Sequence, residues 1–183
     1  MISGATGLPL VWGATPDEAA RPYPADGLVP EPVLMTRAVA VDAPPAVTWR
    51  WLCQIAVAPY SYDWIDNRGR RSPRELTPGA DRLEVGQTMA IVFRLSSFED
   101  GHHWTALTGP RGERLFGPCA MTYAAEPDAA GSRIVCRLAA AGGGPVRRSR
   151  AYALAWGDLV MMRKQLLTLS ELAERDAGGA PPG

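Results

Sequence analysis

The sequence predicts an α+β domain in which a curved antiparallel β-sheet wraps around one long C-terminal α-helix. Three observations support this prediction: an alternating strand at 33–42 that runs into a short helix, four later strand-like segments joined by short turns, and an amphipathic helix near the C-terminus. Laying the helix across the concave side of the sheet buries the apolar surfaces of both. A strongly curved sheet does not always fill the space beneath it, so we expect an internal cavity there.

The first 32 residues are rich in Gly, Pro and Ala and predict an extended arm that lies on the domain. Thr15 is a suitable N-cap, and Pro16 suits the first position of a single helical turn at 15–18. We assign residues 33–176 to one domain and residues 177–183 to a disordered tail. No internal repeat and no second domain is indicated.

Residues 33–42 alternate with a period of two, which is typical of a strand. Arg37 falls on the apolar side of that strand. Pro44 and Pro45 end the strand and open a helix, in which four apolar residues recur at helical spacing: Val47, Trp51, Leu52 and Ile55.

The next segment, 59–67, is dense in aromatic residues without a clear period and therefore predicts the lining of a site. Residues 66–87 are turn-rich and predict a surface connection with one helical turn at 72–76.

Four apolar runs separated by short breaks predict an antiparallel meander. The predicted strands are 88–95, 102–107, 116–125 and 132–140, and the breaks fall at 99–101, 109–112 and 127–131. The Gly-rich run 142–145 ends the sheet. A basic patch follows, and the final helix is predicted over 158–175, with Arg150 as the earliest start and Asp158 as its N-cap. Its apolar stripe comprises Leu159, Met162, Leu166, Leu169 and Ala173.

Composition excludes several classes of protein. The chain has 183 residues, of which 46% are hydrophobic and 21% charged, so it is neither largely disordered nor fibrous. Lys+Arg and Asp+Glu are both 19, which removes the basic footprint of a nucleic-acid-binding protein. No stretch reaches the ~20 apolar residues of a membrane span, and no signal peptide is indicated, so we expect a cytoplasmic protein.

The three cysteines and two histidines predict neither a disulfide framework nor a metal site. Cys53, Cys119 and Cys136 show no CxxC spacing. His102 and His103 begin a predicted strand, so we expect their imidazoles to point to opposite faces, where they cannot chelate one ion. The strong preference for arginine over lysine, with abundant Ala, Gly and Pro, indicates a GC-rich genome.

Several segments together resemble the bacterial SRPBCC group, the START-like helix-grip proteins related to polyketide cyclases and the birch-pollen allergen. The similarity lies in residues 12–18, 36–45, 49–55, 60–64, 66–67 and 83–87, and continues into the 131–138 strand and the helix around Met161, so that it spans 11–175. One departure is Ala56-Val57-Ala58-Pro59, where members of this group often have a glycine-rich segment. The resemblance implies a helix-grip fold with a cavity for a hydrophobic ligand and no tightly bound cofactor.

Two functions are compatible with that fold. The first, which we favour, is binding of a hydrophobic or aromatic small molecule, with the chain as a monomer or homodimer. The alternative is a cofactor-independent enzyme of the polyketide cyclase, aromatase or dehydratase type. In that alternative Asp63 is the general base, Tyr62 a hydrogen-bond donor to an enolising carbonyl, and His103 a further acid or base. The purely structural alternative is that the tyrosines and the tryptophan cap the sheet, that Asp63 caps a short helix or pairs with Arg37, and that both histidines are exposed or structural at the hairpin end.

Ligand contacts are predicted from aromatic density and from the strands and helix that would enclose the cavity. The predicted set comprises Trp51, Tyr60, Tyr62, Trp64, Phe93, Arg94, Trp104, Tyr123, Met162 and Leu166. Arg37 and Arg94 are basic residues within apolar alternation and would orient a polar ligand atom if either faced the cavity. The other interpretation, which the cost of an unpaired buried charge favours, is an ion pair with Asp42, Asp63 or Glu84.

Overall fold

A curved β-sheet with one long helix on its concave face dominates the computed structural model, which describes residues 7–62, 64 and 69–179. The strands are β1 (Val11–Trp12), β2 (Pro32–Val41), β3 (Thr88–Met89), β4 (Phe93–Glu99), β5 (His103–Thr108), β6 (Cys119–Asp128) and β7 (Gly131–Ala141). The helices are α1 (Pro16–Ala20), α2 (Pro45–Cys53), α3 (Pro110–Phe116) and α4 (Pro145–Gly178), with 3-10 turns at Pro24–Gly27 and Gln54–Ala56.

The strands of the described part form one sheet in the order β1-β2-β7-β6-β5-β4-β3. Only the β1–β2 pair is parallel, and the other neighbours are antiparallel. Strands β4 to β7 follow one another as hairpins, and β2 pairs with β7 along its whole length. The predicted α+β helix-grip arrangement, with an antiparallel sheet wrapped around the C-terminal helix, is confirmed.

Both faces of the central strands are covered, which explains why β2 lacks a polar face. On the concave side, Met35 and its neighbours join the main core with α2 and α4. On the other side, the chain before β2 covers the sheet: Tyr23 packs against Ala38 and Val135, and Ala25 lies in a second small cluster with Ala120. The N-terminal arm is therefore packed on the convex face. The domain boundaries assigned from the sequence remain predictions.

The first helical turn of the arm forms as expected. Thr15 is the N-cap of α1, its hydroxyl accepts from the Glu18 amide at 3.2 Å, and the Glu18 carboxylate accepts from the Thr15 amide at 2.7 Å. This reciprocal pair is a capping box. Glu18 also bonds Arg133 of β7, which fixes α1 to the sheet.

The C-terminal helix begins earlier than predicted, at Pro145. Gly144, with φ of 81°, precedes a proline at the first helical position. Asp158 is therefore not the N-cap but lies inside the helix. Buried Ala151 and Ala155 continue the predicted apolar stripe toward the N-terminus at four-residue spacing. Because alanine is small, the sequence pattern did not reveal this part of the stripe.

Two predicted strands also differ in extent. The predicted strand 88–95 is broken by Ala90 and Ile91, which have φ of 41° and 70° and turn the chain between β3 and β4. The predicted strand 116–125 starts only at Cys119, because helix α3, with Pro110 in its first turn, occupies residues 110–116. Residues 72–76 form no helical turn. Among the described helices, none combines the length and apolarity needed to cross a bilayer.

Candidate ligand-binding cavity

A cavity of about 730 Å³ lies between α4 and the concave face of β4 to β7. Helix α4 presents a stripe of residues to it with helical spacing, including Leu154, Gly157, Asp158, Met161 and Gln165. The sheet supplies the opposite wall with Phe93, Cys119, Met121, Tyr123 and Leu138. The cavity is therefore apolar on both main walls, with few polar side chains among them.

The mouth of the cavity is formed by exposed apolar side chains. Ile91 follows β3, and Leu115 and Phe116 end α3; all three line the cavity while being 52%, 64% and 46% exposed. Ala90 and Ile91 hold left-handed backbone conformations, which are unusual for side chains with a Cβ and rarer still for a β-branched one. Strained backbone thus occurs at the opening, where strain is often associated with function.

The polar groups at the inner end are bonded to one another. The Tyr123 hydroxyl donates to Gln165 Oε1 and lies 3.1 Å from Met162 Sδ, and Gln165 Nε2 donates to the Pro59 carbonyl at 2.5 Å. Burial raises the pKa of Tyr123 well above its ordinary value, so its phenol stays protonated. These hydrogen bonds connect the sheet, the helix and the 59–61 segment. The Tyr123 hydroxyl and the Gln165 amide therefore already have partners within the protein before any ligand enters.

Asp158 is the ionisable group that faces both the cavity and the core. Its Oδ2 atom lies 3.4 Å from Arg37 Nη2, with the two side chains 12% and 1% exposed. Arg37 also donates to the carbonyls of Leu10 at 2.7 Å and Ala155 at 3.3 Å. Within the described residues, Asp158 Oδ2 has no hydrogen-bond partner. Burial raises the pKa of Asp158 to about 6, against the opposing attraction of Arg37.

The ion pair decides between the two interpretations of Arg37. Arg37 does face the helix, as its place on the apolar side of β2 predicts. Among the described residues its carboxylate partner is Asp158 and neither Asp42 nor Glu84, while Asp63 lies outside the described residues. The charge of Arg37 is therefore already compensated within the protein.

The cysteine of the cavity wall is not an activated nucleophile. Burial raises the pKa of Cys119 to about 11, and burial raises the pKa values of Cys53 and Cys136 still further. All three cysteines are buried and free. A thiolate, which is the reactive form, is thus disfavoured at each of them.

The structure brings three predicted ligand residues into the lining: Phe93, Tyr123 and Met162. Four others are fully buried but lie in the core outside the lining: Trp51, Tyr60, Trp104 and Leu166. The Trp51 and Tyr60 rings meet edge to face at 6.0 Å, and Trp104 stacks on Tyr123 at 4.5 Å and donates to the Leu52 carbonyl. Trp104 therefore supports the lining residue Tyr123 from behind.

The remaining aromatic and basic predictions do not reach the cavity. Trp64 is 75% exposed, so its predicted place in the cavity wall is wrong. Arg94 lies on the exposed side of β4, where it bonds Thr88, because the alternation places Phe93 and Leu95 inward. Tyr62 is half-buried and is not among the described lining residues. Asp63 lies outside the described residues.

The two histidines lie away from the cavity, and their predicted divergence is wrong. His102 belongs to the turn rather than to β5, so strand alternation does not separate the rings, and their Nδ1 atoms are 3.0 Å apart. His103 shares the convex face with Thr105, whose partner Thr122 accepts from the amide of Ala25 in the arm. Burial, with a smaller contribution from His102, lowers the pKa of His103. A role for His103 inside the cavity is incompatible with this placement.

Several lining residues were not predicted. Asp158 was assigned to a helix start and Phe116 to the start of a strand, while Leu115 was assigned to no element. A helical stripe from Arg150 to Gln165, shifted from the leucine stripe, carries the helix residues of the lining. The helical spacing of that shifted stripe could have been read from the sequence. The inward direction of Met121 and Leu138, in contrast, depends on the register of β6 and β7.

No family model matches this chain, and no curated protein matches it. Among solved structures, protein MLL2253 from Mesorhizobium loti is similar with a TM-score of 0.49 and 14% identity, over 78% of this chain and 98% of that one. The di-domain ARO/CYC StfQ from the steffimycin biosynthetic pathway is similar with a TM-score of 0.48 and 16% identity, over 80% and 52%. Ara h 8.0201 is similar with a TM-score of 0.44 and 10% identity, over 81% and 99%.

These similar structures include the kinds of protein that the sequence resemblance names, an ARO/CYC protein and a birch-pollen-allergen-like protein. All three TM-scores lie below 0.5, and nothing in the fold assignment depends on these structures. The fold assignment itself rests on the strand order and the helix of this chain.

Proposed function

We propose that the chain binds a hydrophobic or aromatic small molecule in the cavity between α4 and the sheet. The observation that carries this proposal is a cavity of about 730 Å³ whose two main walls are built from apolar side chains. That volume falls in the range of about 300–1,000 Å³ that is common for small-molecule sites. The transfer of an apolar ligand from water into this cavity is favourable, and it leaves the hydrogen bonds between the polar groups of the wall intact.

The polar groups of the wall indicate what kind of ligand suits the site. Tyr123 and Gln165 are already hydrogen-bonded to each other, and the charge of Arg37 behind the wall is compensated by Asp158. Among the described lining residues, Asp158 has a buried oxygen, Oδ2, without a hydrogen-bond partner, and Arg150 supplies an exposed cation. The ligand that fits best is therefore largely apolar, with a hydroxyl or N–H donor toward Asp158 and any acceptor or anionic group toward Arg150.

The cyclase alternative has less support from this arrangement. It requires acid and base groups that converge on a substrate, and His103 lies on the other face of the sheet. Tyr123 and Gln165 do converge, but on each other. The predicted general base, Asp63, lies outside the described residues, so our proposal of binding rests on the apolar walls of the cavity.

Titration with the neutral fluorophore N-phenyl-1-naphthylamine tests the proposal. Gly157 lies in the cavity-facing stripe of α4, and open space surrounds the position of an added Cβ. Gly157→Trp should lower the affinity for the fluorophore at least about tenfold, because the indole would occupy the site. Gly157→Ala adds one methyl group and should change affinity no more than about fourfold.

Val160→Trp is the matched control, since Val160 is exposed on the same helix and is not among the lining residues. It should leave the affinity unchanged. Denaturation of each variant checks folding; replacing Gly157 should not lower stability, because glycine costs up to about 1 kcal/mol inside a helix. Equal affinity in all four proteins would show that the fluorophore binds elsewhere and would overturn the proposal.

A further inference from the structure

We propose that Glu99, His102 and His103 form a binding site for a divalent transition-metal ion at the β4–β5 hairpin. The three side chains come from five consecutive residues, Glu99-Asp100-Gly101-His102-His103. Each offers one ligand atom, and these atoms all lie within 4.8 Å of one another. The site is on the convex face and is separate from the proposed ligand-binding cavity.

The backbone of the hairpin brings the ligand atoms together. Glu99 and His103 are directly paired across β4 and β5, and the His102 amide donates to the Glu99 carbonyl at 3.0 Å. Gly101, with φ of 78°, permits the tight reversal between them. The buried Trp49 anchors this turn from the core, because its Nε1 donates to Asp100 Oδ1 at 3.2 Å. The positions of the three residues are thus set by the fold before any ion binds.

The distances fit one ion. The two imidazole Nδ1 atoms are 3.0 Å apart, and Glu99 Oε2 lies 3.7 Å from His103 Nδ1 and 4.0 Å from His102 Nδ1. A tetrahedral Zn²⁺ ion with bonds of about 2.1 Å holds its ligand atoms about 3.4 Å apart, and each of the three separations lies within about 0.6 Å of that value, so shifts of this size would let one ion bind among the three atoms. An ion there would replace the contact between the two rings with two metal–nitrogen bonds.

The donor set selects the class of metal. Two imidazole nitrogens and one carboxylate oxygen suit Zn²⁺, Co²⁺, Ni²⁺ or Cu²⁺, whereas Ca²⁺ and Mg²⁺ prefer six or more oxygen ligands. Three protein ligands leave a tetrahedral ion with one open position. Both histidines border a groove of about 400 Å³ that Tyr23 and Glu126 also line, so water or a small ligand can reach that position.

The test uses the tag-free chain with Co²⁺ as a spectroscopic probe and Zn²⁺ as its competitor. We expect saturable Co²⁺ binding at one ion per chain with visible d–d absorption, complete displacement by Zn²⁺ and no displacement by Mg²⁺. His102→Ala and His103→Ala should each weaken Zn²⁺ binding at least about tenfold. Glu99→Gln should weaken it less, because the amide oxygen remains a poorer ligand.

The control variant is Asp128→Asn, which removes an exposed carboxylate from the neighbouring β6–β7 hairpin. It should leave Zn²⁺ affinity unchanged. His102 is 51% exposed, so its replacement should not unfold the chain, and circular dichroism checks this. Absence of saturable Co²⁺ binding would mean that the histidines only hydrogen-bond each other, and unchanged affinity in both histidine variants would place the ion elsewhere; either result overturns the proposal.

Discussion

Arg37 and Asp158 show how a single ion pair shapes the candidate site. Arg37 is 1% exposed and holds three backbone carbonyls besides its carboxylate partner: those of Leu10, Thr36 and Ala155. It therefore ties β2 to both the arm and α4. Asp158 balances its charge, yet the 3.4 Å separation and the lack of a hydrogen bond to Oδ2 among the described residues leave that carboxylate poorly solvated.

The raised pKa of Asp158 predicts a pH dependence of stability. The folded value is about 6 and the ordinary value 3.8, so between these the folded chain binds more protons than the unfolded chain. The free energy of unfolding should then decrease as pH rises from about 4 to 7. Relative to Asp158→Asn, the wild type should lose up to about 3 kcal/mol over that interval.

Urea denaturation of both proteins at several pH values measures this difference. Asp128→Asn, at an exposed carboxylate, should show no such trend relative to the wild type. If the attraction of Arg37 outweighed burial, the pKa of Asp158 would be lowered instead. The wild type would then gain stability relative to Asp158→Asn as pH rises, which is the opposite sign.

At the scale of elements, the N-terminal arm is joined to the sheet by a very close backbone contact. Gly13 follows β1 with φ of 71°, and a Cβ at this position would lie 2.1 Å from the Ala38 carbonyl oxygen. The Gly13 carbonyl also accepts from Arg133 at 2.9 Å. The arm can therefore lie flat on β2 only because residue 13 has no side chain.

Gly13→Ala should separate the arm from the sheet and lower the free energy of unfolding by at least about 2 kcal/mol. A glutamate-specific protease should also cleave faster after Glu18, which lies on the arm and is buried in the folded chain. Gly27→Ala is the matched control, since nothing lies within 4 Å of its added Cβ. If both variants had equal stability and equal cleavage rates, the close contact at Gly13 would not hold the arm.

Helix α4 serves two purposes along its length through two neighbouring stripes. One stripe, with Leu166, Leu169 and Ala173, is fully buried in the core. The other, with Leu154, Gly157 and Met161, faces the cavity. The small side chains of Ala151 and Ala155 let the first half of the helix approach the sheet, while Gly157 leaves space beside them.

At the scale of the whole molecule, the packed core and the cavity adjoin on one concave surface, and wall residues such as Tyr123 and Leu138 belong to both. Core residues such as Trp51 and Leu166 fill the end near α2, and the cavity occupies the end near α3. Substitution of a core residue outside the lining should therefore lower stability without changing ligand binding, whereas substitution of a wall residue should change binding. This division corrects the expectation that Leu166 contacts a ligand.

Leu166→Ala should lower the free energy of unfolding by about 2–5 kcal/mol, because it opens a void in a packed core. The affinity for N-phenyl-1-naphthylamine should stay within about threefold of the wild type. Leu138→Ala, in the cavity wall, should instead weaken binding by the equivalent of about 1–3 kcal/mol of lost apolar contact. A loss of affinity in Leu166→Ala equal to that in Leu138→Ala would contradict the separation of core and cavity.

The sequence alone determined which elements form and which of their sides are buried. The period of two in β2 placed Arg37 inward, the leucine stripe of α4 was buried as predicted, and Thr15 capped α1. These features depend on neighbours within a few residues, so local periodicity and capping chemistry reveal them.

Only the tertiary structure decided what lies opposite each buried side. The partner of Arg37 is Asp158, far along the chain, and the cavity wall joins β4, β6, β7 and α4 through the register of the sheet. The turn, and not strand alternation, brought His102 beside His103. Periodicity specifies the direction of a side chain but not its partner, because the partner is set by long-range packing that no local pattern encodes.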